Sequence, residues 1–313
     1  MPKDWVAKNN LKKGDLISLE DNGAELSLSI NAQEKKSETR DIDINAENKN
    51  IELLKVEIVS SYLNNYDTIN ILFDSNNKEI PKIKDIIRNL SGLEIMEQTS
   101  TRILAKNLIN INEISISNII RRIDIITRAM VEDAILCYRK QCTYDSIHHR
   151  DNDVNRLFFL ALRVIKNAAK NSRIAKSLGT EPWQLHSDAI IILKLEKIAD
   201  RQKRIARYLC TANLEREAVA ELDKVHTIIS ESYNDVMKSY YTQDKEIAMQ
   251  IEVTNKDRTS QCDRFLERYM ERHLSVKNKT ASSNLVAVAK IIENLKATTA
   301  EIRNIARAVL CYE

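Results

Sequence analysis

The sequence predicts a mainly α-helical protein, and three observations lead to that fold class. Glycine and proline, which interrupt helices, are scarce, because the 313 residues include 4 Gly and 3 Pro. From Asn110 onward only Gly179 and Pro182 occur, both in one expected loop. In the same part of the chain, apolar residues recur at helical spacing over long stretches that short polar connections join. Long amphipathic helices with short links are typical of antiparallel bundles.

The first segment, residues 1–48, predicts a short helix followed by a β-hairpin. The helix begins near Pro2, and Lys-Gly-Asp at 13–15 forms a turn. Two alternating stretches, which start at Leu16 and Leu26, flank an Asp-Asn-Gly turn and are typical of paired strands. Residues 31–50 are polar, and we expect a linker with at most one short edge strand at its isolated Ile-x-Ile.

The second segment, residues 49–109, predicts a small α+β module. Apolar residues from Ile51 to Leu63 follow helical spacing, and "TINILF" is a short strand. An amphipathic helix begins at Pro81, where proline is tolerated, and two further strands follow it. The segment has no Gly-rich phosphate loop and no catalytic constellation.

The third segment predicts a bundle of two tandem three-helix repeats, 110–211 and 212–313. We expect six helices near 112–142, 149–174, 185–210, 214–241, 243–274 and 283–311. A shift of 100 residues superposes the apolar positions of the third and sixth helices, including an identical Ile-Ala-Arg at 205–207 and 305–307. Such self-similarity indicates an internal duplication, although two helices rich in Ala and Ile also match by chance.

Three groups of motifs carry a family resemblance. "DNDVNRLFFLALRVI" (151–165) and "LEKIADRQKRIARYL" (195–209) resemble the PhoU family of phosphate uptake regulators, which is built from three-helix repeats. "PKDWVAKNNLKKGDLISLE" (2–20) is similar to the SpoVT/AbrB-like swapped-hairpin domain that precedes PhoU repeats in archaeal proteins. "VSSYLNNYDTINILF" with "IRNLSGLEIMEQT" resembles the connecting module of the same proteins.

The resemblance implies a non-enzymatic regulator of phosphate uptake and phosphate homeostasis. Such a protein acts negatively, through contacts with a phosphate ABC transporter or a sensor kinase, and it is a homodimer through its N-terminal domain. An open alternative is a DNA-binding transcriptional regulator of phosphate genes whose bundle senses metal or phosphate. The family has a further strand before the Pro-Lys-x-Trp motif, and the sequence begins at Met1-Pro2. We therefore expect either a start upstream of Met1 or a truncated hairpin domain.

Glu196 and Asp200 are the leading candidates for a metal site. Their i, i+4 spacing puts two carboxylates side by side on one helix, and carboxylate oxygens are ligands for hard cations. On a helical wheel both lie outside the apolar side, and PhoU proteins resemble this arrangement in placing a divalent or iron-type metal on the bundle surface. The competing interpretation is a solvated helix face, because Lys203 and Arg204 are close enough to neutralise Asp200. In the second repeat Lys296 and Ala300 replace the pair.

Other candidate ligands are weaker. Asp151 and Asn155 form a second i, i+4 pair in which one carboxylate has become an amide. Carboxylates of the fifth helix, Glu252, Asp257 and Asp263, lack that spacing and are expected to be solvated. The adjacent His148 and His149 are expected in an exposed loop, and His186, His226 and His273 at the surface or the edge of the core.

The basic residues Lys3, Lys8, Lys12 and Lys13 are the candidate DNA contacts. A dimer doubles this basic face, which is enough for salt-sensitive phosphate binding. Against it, the net charge of the whole chain is only +3, without the strong basic excess of a dedicated nucleic-acid binder.

Enzymatic function is not expected, because the sequence has no nucleophile elbow, Walker loop, zincin motif or dinucleotide fingerprint. The five cysteines form no Cys-x-x-Cys pair, and no apolar run has the length of a membrane span. We therefore expect a cytoplasmic protein with reduced thiols.

Overall fold

The computed structural model describes residues 1–21, 26–30, 39–139, 144–170, 175, 180–273 and 279–311. The chain divides into two compact units, Met1–Arg40 and Asp41–Glu313. The first unit contains α1 (Lys3–Lys8) and an antiparallel hairpin of β1 (Ile17–Asp21) and β2 (Leu26–Ile30). This order confirms the predicted helix and hairpin, while the predicted turn at residues 22 and 23 lies outside the described residues. Leu16, Leu19 and Leu26 are exposed in this unit.

The second unit begins with the small α+β module. Its elements are β3 (Asp41–Asn45), α2 (Ile51–Leu63), β4 (Thr68–Leu72), α3 (Ile80–Arg88), β5 (Leu93–Gln98) and β6 (Arg102–Asn107). The sheet order is β3-β4-β6-β5, with β3 parallel to β4 and the other pairs antiparallel. The Ile-x-Ile of the expected linker is thus the edge strand β3. Because Ile44 is buried in the module core, the sheet begins at Asp41 rather than at residue 49.

Six long helices form the rest of the second unit. They are α4 (Ile116–Tyr138), α5 (Tyr144–Lys170), α6 (Pro182–Thr211), α7 (Arg216–Thr242), α8 (Lys245–His273) and α9 (Lys279–Leu310). The start of α4 is capped by Ser115, whose hydroxyl oxygen accepts a hydrogen bond from the Asn118 amide. Pro182 lies in the first turn of α6, where its missing N–H costs nothing. Helix α5 begins five residues earlier than predicted, so that His148 and His149 are helical and not in a loop.

The two three-helix repeats pack alike. Helix α6 contacts α4 and α5, helix α9 contacts α7 and α8, and α6 and α9 pack against each other. The apolar positions that a shift of 100 residues matches are all buried: Ile191, Ile192, Leu195, Ile205 and Ala206, with Ile291, Ile292, Leu295, Ile305 and Ala306. The predicted mainly α fold with two tandem repeats is therefore confirmed.

Equivalent positions of the two repeats also meet directly. Arg201 Nη2 lies 3.4 Å from Glu301 Oε1, and the Lys194 ammonium lies 3.0 Å from Glu301 Oε2. Burial raises the pKa of Glu301, but hydrogen bonds from Lys194, Asn304 and Arg201 outweigh it and hold that pKa below its ordinary value. Contact between a position and its own equivalent is the mark of a two-fold relation.

A buried arginine joins the module to the bundle. The Arg163 guanidinium of α5 stacks over the Tyr62 ring at 4.7 Å and donates to Asn65 Oδ1 at 2.8 Å and to the Asn107 side chain. All its hydrogen-bond acceptors named here are neutral, and burial lowers the pKa of Arg163.

The cysteines differ in state. Cys210 and Cys311 are exposed free thiols, and Cys262 is a buried free thiol. Cys137 is disulfide-bonded, so the expectation of reduced thiols is wrong at this position. Among the described helices, none is both long enough and apolar enough to cross a bilayer.

Candidate functional site

The structure brings all four predicted metal-site residues to one place between α5 and α6. Lys203 Nζ lies 2.6 Å from Asp151 Oδ2 and 3.1 Å from Asp200 Oδ1, so one ammonium joins the two helices. Asn155 Nδ2 donates to Asp151 Oδ2 at 3.3 Å. Glu196 lies close enough to Asp151 and Asp200 to be affected by both charges. We call these five residues the carboxylate cluster.

The cluster is more buried than the helical wheel indicated. Asp151 is only 4% exposed, and Glu196 and Asp200 are half-buried instead of facing open solvent. The reason is that α6 packs against α4, α5 and α9, so its buried surface is wider than a single apolar stripe. A carboxylate as buried as Asp151 requires a charged partner, and Lys203 provides it.

Electrostatics distinguish the members of the cluster. Burial, then the charges of Asp200 and Asp151, raise the pKa of Glu196. Burial lowers the pKa of Lys203, but hydrogen bonds and charge from Asp151 and Asp200 outweigh it and leave that pKa raised. Arg204 Nη2 binds Asp200 Oδ2 at 2.7 Å, as the sequence spacing predicted. Glu196 has no ion pair within the described part of the chain.

In this structure the cation of the carboxylate cluster is the ammonium group of Lys203. The Lys203 ammonium lies between the carboxylates of Asp151 and Asp200 and pairs with both. Among the residues that the structure describes, no three His, Cys, Asp or Glu side chains converge as metal ligands. Asp151 and Asp200 would be oxygen donors for a hard cation only in place of Lys203.

The equivalent helices of the second repeat are paired differently. Lys296, which replaces Glu196, lies 2.6 Å from Asp263 of α8. Glu252 accepts hydrogen bonds from Arg303 and Arg307, and these lower its pKa to about 2. Glu252 and Asp263 are therefore not merely solvated, as the sequence reading had it, because α9 supplies a cation to each.

His226 is the functional-site candidate that sequence reasoning missed. It is fully buried, not at the core edge, and its Nε2 lies 2.9 Å from Gln202 Oε1 of α6. Burial lowers the pKa of His226 to about 3, so the imidazole is neutral near pH 7. The signal was Gln202, a polar residue on the apolar side of α6 that required a buried partner. The exposed His148 and His149 rings are 6.2 Å apart and do not converge.

The candidate DNA contacts lie in the first unit. Lys3 and Lys8 are on α1, Lys12 and Lys13 follow it, and all four are exposed. Their side chains have no ion pair among the described residues. They stay available for a polyanion, and DNA binding stays a prediction.

The comparisons with known proteins show similarity in the fold. No family model matches the chain, and no curated protein matches it. The crystal structure of PhoU from Pseudomonas aeruginosa is similar, with a TM-score of 0.55 and 14% sequence identity. The match covers 62% of this chain and 93% of that chain. The helical bundle therefore has a PhoU-like fold.

Proposed function

We propose that this protein is a non-enzymatic regulator of phosphate uptake and phosphate homeostasis that acts through protein–protein contacts. The observation that carries the proposal is the PhoU-like bundle of two repeats, found in a chain whose motifs resemble the same family. Its partner would be a phosphate ABC transporter or a sensor kinase, restrained while phosphate is ample. In this mechanism the surfaces of the helices contact the partner protein.

The first unit supports a homodimer in this proposal. Its hairpin leaves Leu16, Leu19 and Leu26 more than 60% exposed, and a two-stranded hairpin alone is marginal in water. A second copy of the unit would cover these residues. Sedimentation equilibrium of the full chain should give twice the chain mass, and a Leu19→Ser/Leu26→Ser variant should lower it to the chain mass.

The test of the regulatory function is phosphate uptake in cells of the source organism that lack the gene. We expect uptake that no longer falls when phosphate is ample, and restoration by the intact gene. A catalytic role would be indicated instead if the purified protein turned over a phosphorylated substrate. Unchanged phosphate uptake and unchanged expression of phosphate transport genes would contradict the proposal.

A metal at the carboxylate cluster is a second part of the proposal, favoured by Glu196, a half-buried carboxylate that lies near Asp151 and Asp200 and has no ion pair among the described residues. A divalent or iron-type ion would be held by Asp151, Glu196 and Asp200, with the Asn155 side-chain oxygen beside them. The test is elemental analysis of the purified protein against a Glu196→Ala/Asp200→Ala variant. Equal metal content in the two proteins would contradict metal binding at the carboxylate cluster.

A transcriptional regulator is the second candidate function, favoured by the four exposed lysines of the first unit. Fluorescence anisotropy with DNA from upstream of phosphate transport genes, in a salt series, separates the two. DNA binding through these lysines predicts a steep fall of log K with log salt concentration, less steep in a Lys12→Gln/Lys13→Gln variant. Binding that is weak and independent of salt would favour the protein-contact mechanism.

A further inference from the structure

A long groove runs between α7 and α8 on the second repeat. Two adjoining cavities, of about 840 and 530 Å³, lie along it, and both are lined by Ile228 and Gln261. The two helices have 27 and 29 residues, which is about 40 Å each. The groove is therefore long enough for several turns of a further helix.

Charge of opposite sign lies at the two ends of the groove. One end carries four carboxylates, namely Glu231, Asp235, Glu246 and Asp257, and the structure gives none of them an ion pair among the residues it describes. The other end carries four cations, namely Lys224, Arg264, Arg268 and Arg272. Glu221 binds Arg268 at 2.9 Å and Arg272 at 3.8 Å, so the cations outnumber the acids there.

The acidic part of the groove also has exposed apolar side chains and a buried arginine. Met249 is 52% exposed and Ile228 37% exposed. Beneath them Arg258 is only 8% exposed, and its guanidinium donates to the Ile251 carbonyl oxygen at 2.6 Å and to Thr254 Oγ1 at 2.7 Å. Its Nε and the Ser232 hydroxyl have no hydrogen-bond partner. Burying a cation with an unpartnered nitrogen is costly, and a bound partner with an acceptor at this place would offset that cost.

We propose that this groove, lined by α7 and α8, binds an amphipathic helix of a partner protein that is basic at one end and acidic at the other. The apolar side of that helix would cover Ile228 and Met249, and its basic end would lie over the four carboxylates. A small anion or a metal ion would use only one end of the groove, whereas a helix about 20 residues long spans about 30 Å and uses both. The inference rests on the proposed protein-contact function and gives it a surface.

The probe is a set of fluorescein-labelled peptides measured by anisotropy with the full chain. Each peptide has about 20 residues, one leucine stripe at helical spacing, and lysine and glutamate at the polar positions. In the first peptide the lysines fill one half and the glutamates the other; in the second the same residues are interspersed. We expect the first to bind about tenfold more tightly, because only its charges match both ends. Equal affinities, or no binding of either, would overturn the proposal.

A charge reversal makes the test specific to the groove. Glu231→Lys/Asp257→Lys should weaken binding of the first peptide about tenfold and should strengthen binding of a third peptide that is acidic in both halves. The matched control is Glu132→Lys/Asp153→Lys, which makes the same change in net charge at two exposed positions of α4 and α5 outside the groove. The control should leave all peptide affinities unchanged, and an equal loss in both variants would overturn the proposal.

A different occupant, and the failure of the proposed function, are separate outcomes of the same experiments. If Glu231→Lys/Asp257→Lys lowers the solution mass of the protein, a second copy of this chain covers the groove and the partner helix is wrong. Peptide selectivity without any effect of the gene on phosphate uptake would retain the groove and reject the phosphate function. An effect of the gene on phosphate uptake without peptide selectivity would reject the groove and retain the phosphate function.

Discussion

Between α5 and α6 Asp151 and Asp200 share Lys203 and Arg204, and Glu196 has no ion pair among the described residues, whereas between α8 and α9 Glu252 and Asp263 each have a cation of their own. The apolar positions of α6 and α9 are buried to the same extent in both repeats. The two repeats differ in the charged positions beside these residues and at the buried Gln202, which Ile302 replaces in the second repeat. This difference teaches that the duplicated framework depends on the apolar stripe, while the charges beside it are free to change in one copy.

The two repeats carry opposite charges at one pair of equivalent positions. Glu196 and Lys296 are equivalent, and the second finds Asp263 while the first lies beside two other carboxylates. An arrangement that raises the pKa of an acid opposes folding, and such arrangements are more frequent at binding sites than in structural contacts. The first contact is thus the functional candidate and the second the structural one.

The largest expected effect is that of Lys203→Met. It leaves the buried Asp151 carboxylate without its cation, and we expect a loss of about 3 kcal/mol in the free energy of unfolding. Urea denaturation followed by circular dichroism measures it. The double variant Asp151→Asn/Lys203→Met should recover most of the loss, because no charge is then left buried. If Lys203→Met lowers the free energy of unfolding no more than Lys296→Met does, the two contacts are alike and the distinction is wrong.

The next effect concerns pH and the contact between repeats. The folded-state pKa of His226 is lowered to about 3, so the unfolded chain binds the extra proton below about pH 6.5. Stability is then full above that pH and falls as pH decreases, by about 1.4 kcal/mol per pH unit from this residue. We expect the paired variant Gln202→Leu/His226→Leu to reduce that slope in denaturation series from pH 7 to pH 4.5. His186→Gln, at an exposed position, is the control and should leave the slope as it is.

A smaller effect of opposite sign is expected for Glu196→Gln. Removing this charge relieves the cost of burying it and its repulsion from Asp200 and Asp151, and we expect the variant to be more stable than the wild type by about 0.5 kcal/mol at pH 7. Because the pKa of Glu196 is raised in the folded state, the folded wild type binds this proton at a higher pH than the unfolded chain does. The difference in stability between the variant and the wild type should therefore shrink towards pH 4. A destabilised variant would mean that Glu196 has a partner in solution.

The smallest effect is expected for Lys296→Met in the second repeat. Lys296 and Asp263 are 38% and 43% exposed, and exposed ion pairs contribute about 0.5 kcal/mol or less. The same denaturation assay measures it, and 0.5 M salt should remove the difference. An effect as large as that of Lys203→Met would remove the distinction between the two contacts.

Sequence patterns were sufficient for the features that depend on neighbours along the chain. The long helices, the hairpin and the binding of Asp200 by Arg204 all follow from spacing within one element. The strands β3 and β4 were also visible, as an Ile-x-Ile and as "TINILF", although their parallel pairing was not.

Contacts between distant helices could not be derived in this way. Lys203 was counted as a neighbour of Asp200, but its shorter ion pair is with Asp151 on another helix. His226 was assigned to the surface or the edge of the core, although it lies between Leu222 and Ile229 on the buried side of α7, and its partner Gln202 lies on α6. The burial of the carboxylate cluster was missed because a helical wheel treats a helix as having one buried side, whereas α6 has several neighbours.

The ion pair of Arg201 with Glu301 has a consequence for how the two repeats recognise each other. Because these positions are equivalent, two copies of the first repeat would place guanidinium against guanidinium, and two copies of the second would place carboxylate against carboxylate. Like charges at such a contact disfavour self-association, while the unlike halves attract. Co-expressed as separate polypeptides, the halves should form mixed pairs in preference to homodimers, so the duplication has become mutually dependent.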